Sequence, residues 1–559
     1  MRVASLLLSF LLLVAAPASA QFDAPAEPCP PGEAVGTLRG GSVQARLFTN
    51  GNLFYDQTRD QEDSYYGEGY LVPTNVTASQ GLPPSPIDTA TLWVGGVVDD
   101  SVRASAPGYG AYAFRPGLTG PDGTAPTPDE CAQADRIWVV SREDIERYNG
   151  GGLPTDDLAQ WPVHLGAPVL DGDGIEGNYD LAAGDQPAIR GDEMAFWAMT
   201  DTAAERTGRS YFSPNLPTGV DVTVEAFAFR NPPLHTETFY RFTITNRNGA
   251  TLDSAYVSMA GLWAQRRYAS YFLGTDAEGQ MLYVYSPDGS RAEDSDYAIP
   301  PASGFVLLRG PEGTDGERLG LTATRYLHKS RAPHAFPYFA REVHNTQLGL
   351  MNSGRAVHAH GEGFLPHRGP FFSETTYFWH GDPVTADGWS EVNFDNDDER
   401  DPQRSASDLR MGALSSGPFR LAPGEFTTAT FALAFAQGRD ALASVRGLQA
   451  RARGLLSAQA SGTFEASRVG SATPSPLPLA VGQPRPNPFR EATTLVLQGA
   501  VDTPVRVSVY DVLGRRLSTT QTTTSQTRME IGRELGAGVY VVRVEGRAFA
   551  ETFKVVKTR

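Results

Sequence analysis

The sequence predicts an all-β protein: a multi-domain β-sandwich body followed by a small C-terminal immunoglobulin-like β-sandwich. Three observations carry this reading. Gly 58 and Pro 41 are numerous for a helical chain. Aromatic and β-branched residues recur in short runs between Gly, Pro, Asn and Asp clusters, the punctuation of strands and turns. Over the last stretch, such runs alternate with period two: Val505, Val507 and Val509 fall on one face and Arg506 and Ser508 on the other.

Taken in order, the chain opens with Arg2, an apolar run from Leu6 to Val14 broken only by Ser9, and then Ala18-Ser19-Ala20. A basic start, a short apolar core and a small-x-small site form a signal peptide over residues 1–20, with the mature chain starting at Gln21. The run is too short to span a bilayer, and no later stretch approaches the roughly eighteen apolar residues a span needs, so the mature chain has no transmembrane helix. Cys29 and Cys131 are compatible with one disulfide after export; their spacing leaves the pairing open.

Residues 21–470 read as an acidic β-rich body of two or more subdomains. Thr91–Val98 is a strand with a glycine break, and Asp135–Ile145 a strand running into a short helical turn. Val222–Phe229, Thr236–Asn246 and Thr428–Phe435 read as half-buried strands, and Ala443–Ser457 as one amphipathic helix. Ser471-Ala-Thr-Pro-Ser-Pro-Leu-Pro then breaks all periodicity, giving a Pro/Ser-rich linker over 471–483. Strands are expected at Thr494–Gln498, Val505–Tyr510, Met529–Ile531, Val539–Val544 and Thr552–Val556, with Val539, Val541 and Phe553 opposing the Val505 face.

Charge separates the two parts. Residues 484–559 hold 12 Lys and Arg against 7 Asp and Glu, a net of +5, and the first twenty add +1, so residues 21–483 carry −23 within a total of −17. Such a body repels polyanions, which excludes nucleic acid and anionic membrane surfaces as partners.

The tail 484–559 closely resembles the type IX secretion system (Por) C-terminal sorting domain, type A. The resemblance runs in order through Asn487-Pro488-Phe489, Val505-x-Val507-x-Val509-Tyr510-Asp511, Leu513-Gly514-Arg515, Gly538-Val-Tyr540 and Lys554-Val-Val-Lys557. It implies transit through the periplasm, recognition by the outer-membrane translocon, and attachment of the body to surface lipopolysaccharide after tail removal. The resemblance thus places the mature protein at the cell surface or in the medium. In the body, islands such as Trp93-Val-Gly-Gly96 and Ser416-Gly-Pro-Phe419 are similar to those of large secreted β-rich bacterial proteins that end in the same tail, a likeness that brings no activity with it. Where such relatives are Asp-rich, this chain has Ala264-Gln-Arg-Arg-Tyr-Ala269.

The segment with the most chemistry is Asp171-Gly-Asp173-Gly-Ile175-Glu176-Gly177-Asn178-Tyr179-Asp180. Calcium takes several hard oxygen ligands on a tightly turning loop, so Asp171, Asp173, Glu176 and Asp180 are candidate calcium ligands. Ile175 and Glu176 stand where an EF-hand loop wants Asp or Asn and Gly, so any ion would sit in an irregular turn. Seven of the nine histidines lie between His328 and His380, and His358 and His360 would share one face of a strand; surface or edge positions explain them better than a metal site. A nucleophile elbow, a phosphate loop and a catalytic cysteine setting are missing. The reading is therefore a non-enzymatic surface protein of structural or adhesive type, the alternative being a secreted hydrolase acting on polysaccharide or peptide, whose paired carboxylates would leave no local signature.

Overall fold

The computed structural model describes residues 29–55, 69–74, 85–107, 113–120, 123–203, 217–263, 271–286, 297, 299–328, 334–359, 363, 373–391, 410–466, 480–498, 504–523, 528–546 and 549–559. The signal peptide, the linker up to residue 479, the Ala264–Ala269 stretch and His360 lie outside these residues. By contacts the chain forms two compact units: Met1–Glu143 with Thr155–Pro168 and Pro187–Ser467, and Asp144–Pro154 with Val169–Gln186 and Arg468–Arg559. Two stretches that the sequence assigns to the body thus group with the tail.

The first unit is mostly antiparallel β, built on two nine-stranded sheets; beside the main run of the first, Tyr70–Leu71 pairs with Gln44–Phe48 and Ser101–Ser105 with Thr89–Val98, and beside that of the second, Trp138–Ser141 pairs with Glu193–Thr200. One runs Val35–Arg39, Gln44–Phe48, Asn52–Leu53, Thr89–Val98, Leu252–Trp263, Arg410–Leu421, Ala323–Leu327. The other runs Phe272–Asp276, Met281–Tyr285, Ala302–Arg309, Phe426–Ala436, Thr238–Asn246, Val220–Ala228, Glu193–Thr200, Arg115–Pro116. A single core joins them: Leu92, Val94, Val257 and Met259 of the first meet Trp197, Val222, Phe242 and Phe431 of the second. Period-two patterning places these groups. In Thr238–Asn246, Tyr240, Phe242 and Ile244 are buried while Arg241, Thr243 and Thr245 are only half-buried.

Some strands are buried on both faces and read as unbroken apolar runs. Glu193–Thr200 is one: Ala195, Trp197 and Met199 join the core, and Phe196 on the reverse face meets Trp161 at 5.9 Å. The helix Ala441–Ala460, capped by the Asp440 carboxylate on the Ala443 N–H, buries Val445, Leu448, Ala452 and Leu455 at three- and four-residue spacing. It is longer at both ends than the amphipathic stretch read from the sequence. After it, Phe464 stacks on Phe239 at 4.7 Å, and the Phe464 carbonyl accepts from Arg190, which also pairs with Glu225 at 2.7 Å. Cys29 and Cys131 form a disulfide that closes a loop of 102 residues.

In the tail, Ala480–Arg485, Thr493–Gln498 and Arg528–Ile531 make a three-stranded sheet. Arg516–Thr523, Pro504–Asp511, Gly538–Gly546 and Phe549–Lys557 make a four-stranded one. Leu495 and Ile531 of the first sheet share a core with Val505, Val507, Val509, Val542, Val544 and Val555 of the second. Two strands escape the sequence reading: Ala480–Arg485, whose first residues read as linker, and the threonine-rich Arg516–Thr523. The parity of Gly538–Gly546 is also corrected. Val507 pairs with Val544 and Val509 with Val542, so Val542 and Val544 face the core, while Val539 is 36% exposed and Val541 half-buried. Phe553 packs against this core, as expected.

Candidate functional site

The sorting-motif residues lie in the tail, and most act as internal props. Asn487 uses its side chain as a strand edge: its amide donates to the Lys554 carbonyl at 2.8 Å and its Oδ1 accepts the Val556 N–H at 2.9 Å. Phe489 is buried, bonds the Val556 carbonyl through its N–H, and sits against Gly532, where a Cβ would meet the ring at 2.6 Å. Only glycine fits there, since its φ of +96° also lies in the left-handed region. The Lys557 ammonium lies 5.9 Å over the same ring and donates to the Gly532 carbonyl.

The Asp511 to Arg515 turn is built by one carboxylate. Asp511 accepts the Leu513 and Arg515 N–H groups on Oδ1 and the Arg515 Nε on Oδ2 at 2.7 Å, while Gly514 supplies a φ of +79°. Tyr540 donates its hydroxyl to the Gly536 carbonyl at 2.9 Å, bracing the turn before Gly538. Tyr510 is half-buried and Lys554 exposed. Pro488 follows Asn487 through a cis peptide.

The Asp171 loop turns as its Asp and Gly content dictates. Asp171 Oδ1 accepts the Asp173 and Gly174 N–H groups, and Asp173 Oδ1 accepts that of Ile175 at 2.8 Å. Gly174 and Gly177 both have positive φ. The carboxylates that converge are Asp171, Asp173 and Asp185, one oxygen of each lying within 4.8 Å of the others, a group able to hold a metal ion. Asp185 is buried and accepts the Gly172 and Asp180 N–H groups, tying both ends of the loop together. The Asn178 amide, helped by the Ile175 N–H, holds the Asp173 carboxyl below the usual carboxylate range. Asn178 Oδ1 is buried without a hydrogen-bond partner, a hard acceptor beside these acids.

Of the four candidate ligands, the structure brings Asp171 and Asp173 together. Glu176 is exposed, and Asp180 caps the short 3₁₀ turn Leu181–Ala183 by accepting the Ala182 and Ala183 N–H groups. Asp185 stands outside the Asp-Gly run, and its only sequence signal is the following Gln186-Pro187, which closes the loop.

Among the described histidines, His328 and His334 both pack on Tyr326, and the others take separate structural places. His344 Nε2 meets the Ser254 carbonyl at 3.0 Å, His334 packs against Tyr326 and Phe378, and His358 stands on a two-residue strand paired with Glu374–Thr375. Two further carboxylates are buried for structural reasons. Asp201 accepts from the Ser105 and Thr218 hydroxyls and the Gly219 and Val220 N–H groups, and Asp221 from Thr119 and Arg247. Burial raises both carboxyls, against the pull of those donors.

Among the described residues no helix is long and apolar enough to cross a membrane. No curated protein matches the chain. Among solved structures, a polysaccharide lyase matches at 10% identity with a TM-score of 0.18, covering 63% of this chain and 39% of that one. A β-1,2-glucanase from Parabacteroides distasonis matches at 9% identity with a TM-score of 0.13, covering 56% and 33%. The chain thus spans well under half the length of either. The family of secretion system C-terminal sorting domains matches residues 485–558, the segment whose motif residues brace the two small sheets. Residues 485–558 are therefore a Por secretion system C-terminal sorting domain, and the protein is exported by type IX secretion to the cell surface or the medium.

Proposed function

We propose that the protein is a non-enzymatic component of the cell surface, structural or adhesive, whose body is delivered by its sorting domain. The observation that supports this most is the presence of an export tail on an acidic chain whose two large sheets share one core. In this reading residues 1–20 direct entry to the periplasm, the translocon engages the tail, and tail removal leaves the body attached to surface lipopolysaccharide. The Asp171, Asp173 and Asp185 loop holds calcium, with Asn178 Oδ1 as a further ligand, and stiffens the segment around it. Two experiments test the reading. Deleting residues 484–559 should strand the body in the periplasm; normal surface display of that truncation overturns delivery by the tail. Cells lacking the whole chain should lose adhesion or surface-layer integrity, and unchanged adhesion together with an unchanged surface layer would reject the structural or adhesive role.

A further inference from the structure

An open cleft of about 590 Å³ lies where three segments of the first unit meet: the Phe272–Tyr285 hairpin, the stretch 373–391 and the helix Ala441–Ala460. That volume falls in the range of small-ligand sites. Three carboxylates line it, Asp276, Glu278 and Asp382, and the first and last are fixed in place. Asp276 accepts the Gly279 N–H at 2.8 Å and Arg453 Nη1 at 3.4 Å. Asp382 accepts the Val384 N–H at 2.9 Å, the Thr385 hydroxyl at 3.1 Å and Gln449 Nε2 at 3.3 Å. Gln449 and Arg453 stand one helical turn apart, so one face of the helix sets the positions of both acids. A carboxylate offers about four acceptor sites, which leaves each acid free capacity for hydroxyl donors.

Three further features mark the cleft as a built site. Tyr283 lines it with a ring wholly removed from solvent, and its hydroxyl has no hydrogen-bond partner. With no surface open to solvent, that hydroxyl is part of the cleft's floor and not a ligand contact. Tyr377 gives a wall whose ring is locked, because its own hydroxyl is spent on the Leu321 carbonyl at 2.8 Å. Trp379, just before the lining residues His380 to Asp382, has a φ of +46°, a left-handed conformation that an aromatic residue adopts only when its surroundings impose it. Its carbonyl accepts the Thr275 N–H at 3.0 Å, which ties this strained point to the hairpin across the cleft.

Charge selects the ligand. Asp276, Glu278 and Asp382 outweigh Arg453 in the lining, giving a net of −2 within an already acidic body, so anionic chains are repelled. His380 stands exposed at the cleft's edge, and partial desolvation lowers its imidazole pKa. We infer that the cleft binds a neutral, hydroxyl-rich ligand, a short neutral oligosaccharide, with Asp276 and Asp382 accepting its hydroxyls and the Tyr377 ring flanking a sugar face. The inference rests on the adhesive reading for its setting, since it names what such a body would grip.

The test is calorimetric titration of the mature full-length chain with neutral gluco-oligosaccharides of mixed linkage, an oligogalacturonate and an oligolysine. A neutral oligosaccharide should bind and the oligogalacturonate should not. Asp382→Asn should weaken binding about tenfold. Asp276→Asn, which keeps an Oδ1 acceptor for the Gly279 N–H, should weaken it about fivefold with little loss of melting temperature. Binding that both variants leave unchanged would remove the cleft from recognition while leaving the adhesive reading intact. Preference for oligolysine would replace the saccharide with a cationic peptide and overturn the inference. Failure of every neutral probe would also overturn it, and the adhesive reading would then stand or fall on the adhesion of cells that lack the chain.

Discussion

A charge placed inside the sorting domain should abolish export without touching the body. Val507 is 3% exposed, pairs with Thr520 on one side and Val544 on the other, and packs among Val505, Val509, Val542 and Val555. Val507→Asp forfeits about 1.5–3 kcal/mol of apolar burial. It also places a carboxylate among the apolar side chains of this core, at a cost of several kcal/mol. A unit of about 75 residues has roughly 4–11 kcal/mol of stability in total, so one substitution removes most or all of it.

Arg516→Asp, exposed on the adjoining strand Arg516–Thr523, is the control; it changes charge by more and should cost within about 0.5 kcal/mol. The assay is hydrogen exchange on the full-length chain, following the strands Pro504–Asp511 and Gly538–Gly546, together with fractionation of cells expressing each variant. Val507→Asp should lose protection in both strands and accumulate in the periplasm, and Arg516→Asp should behave as wild type. Export of a Val507→Asp chain with unprotected tail strands would refute the reasoning, because the translocon would then read linear sequence and not a fold.

Calcium should raise the melting temperature of the wild-type chain over that in a chelator, by mass action worth about 2.7 kcal/mol when the ion is at 100 times its Kd, and Asp185→Asn should erase the difference. Calorimetry giving identical melting temperatures in both conditions removes the ion. Asp88 is buried, and burial alone pushes its carboxyl from 3.8 to about 7. The folded state therefore keeps a proton that the unfolded state has lost, so this group's contribution falls as pH rises from about 4 to 7 and stays low above that, by about 4 kcal/mol. Denaturant midpoints of wild type and Asp88→Asn should diverge between pH 4 and 7, with the variant holding stability that the wild type loses; a pH-independent difference contradicts the assignment. Arg325 is fully buried with Nε and Nη1 unpartnered, and burial pulls its pKa down to about 9, so it still carries charge at pH 7. Arg325→Met should leave stability unchanged or raise it; a loss of several kcal/mol would show that the Phe378 ring, 5.4 Å from the guanidinium, compensates the charge.

What the sequence made legible was local. Alternation exposed Val505, Val507 and Val509, and a three- and four-residue rhythm exposed Val445 and Leu448, because in each case neighbours on the chain share a face. In Gly538–Gly546 the run Val539-Tyr540-Val541-Val542 permits either parity, and the residue that decides is Arg543: a guanidinium excluded from the core forces Val542 and Val544 inward. Asp185 was missed because its role is set by the closure of a loop thirteen residues long, through its bond to the Gly172 N–H. The central position of Phe426–Ala436 between Ala302–Arg309 and Thr238–Asn246 has no local trace at all. Nor does the cleft, whose Asp276, Asp382 and Arg453 come from three separated segments.

The same distinction explains why the export tail declares itself and the cargo does not. Its signature residues are those that a small fold needs for its own closure. Asn487 replaces a missing strand edge, Phe489 fills the space that Gly532 leaves, and Asp511 nucleates a turn within five residues. A unit with so little core depends on each of these props, so any sequence that makes this fold must display nearly the same set in the same order. Val512 and Leu513, at 69% and 76% exposed on the apex of the Asp511 turn, lie outside that logic, because they contribute nothing to the tail's core. The body has the opposite economy. Its core spreads over two nine-stranded sheets, so no few residues carry it, and packing leaves many sequences equivalent. Its polar chemistry is assembled by strand order, which short-range pattern does not encode.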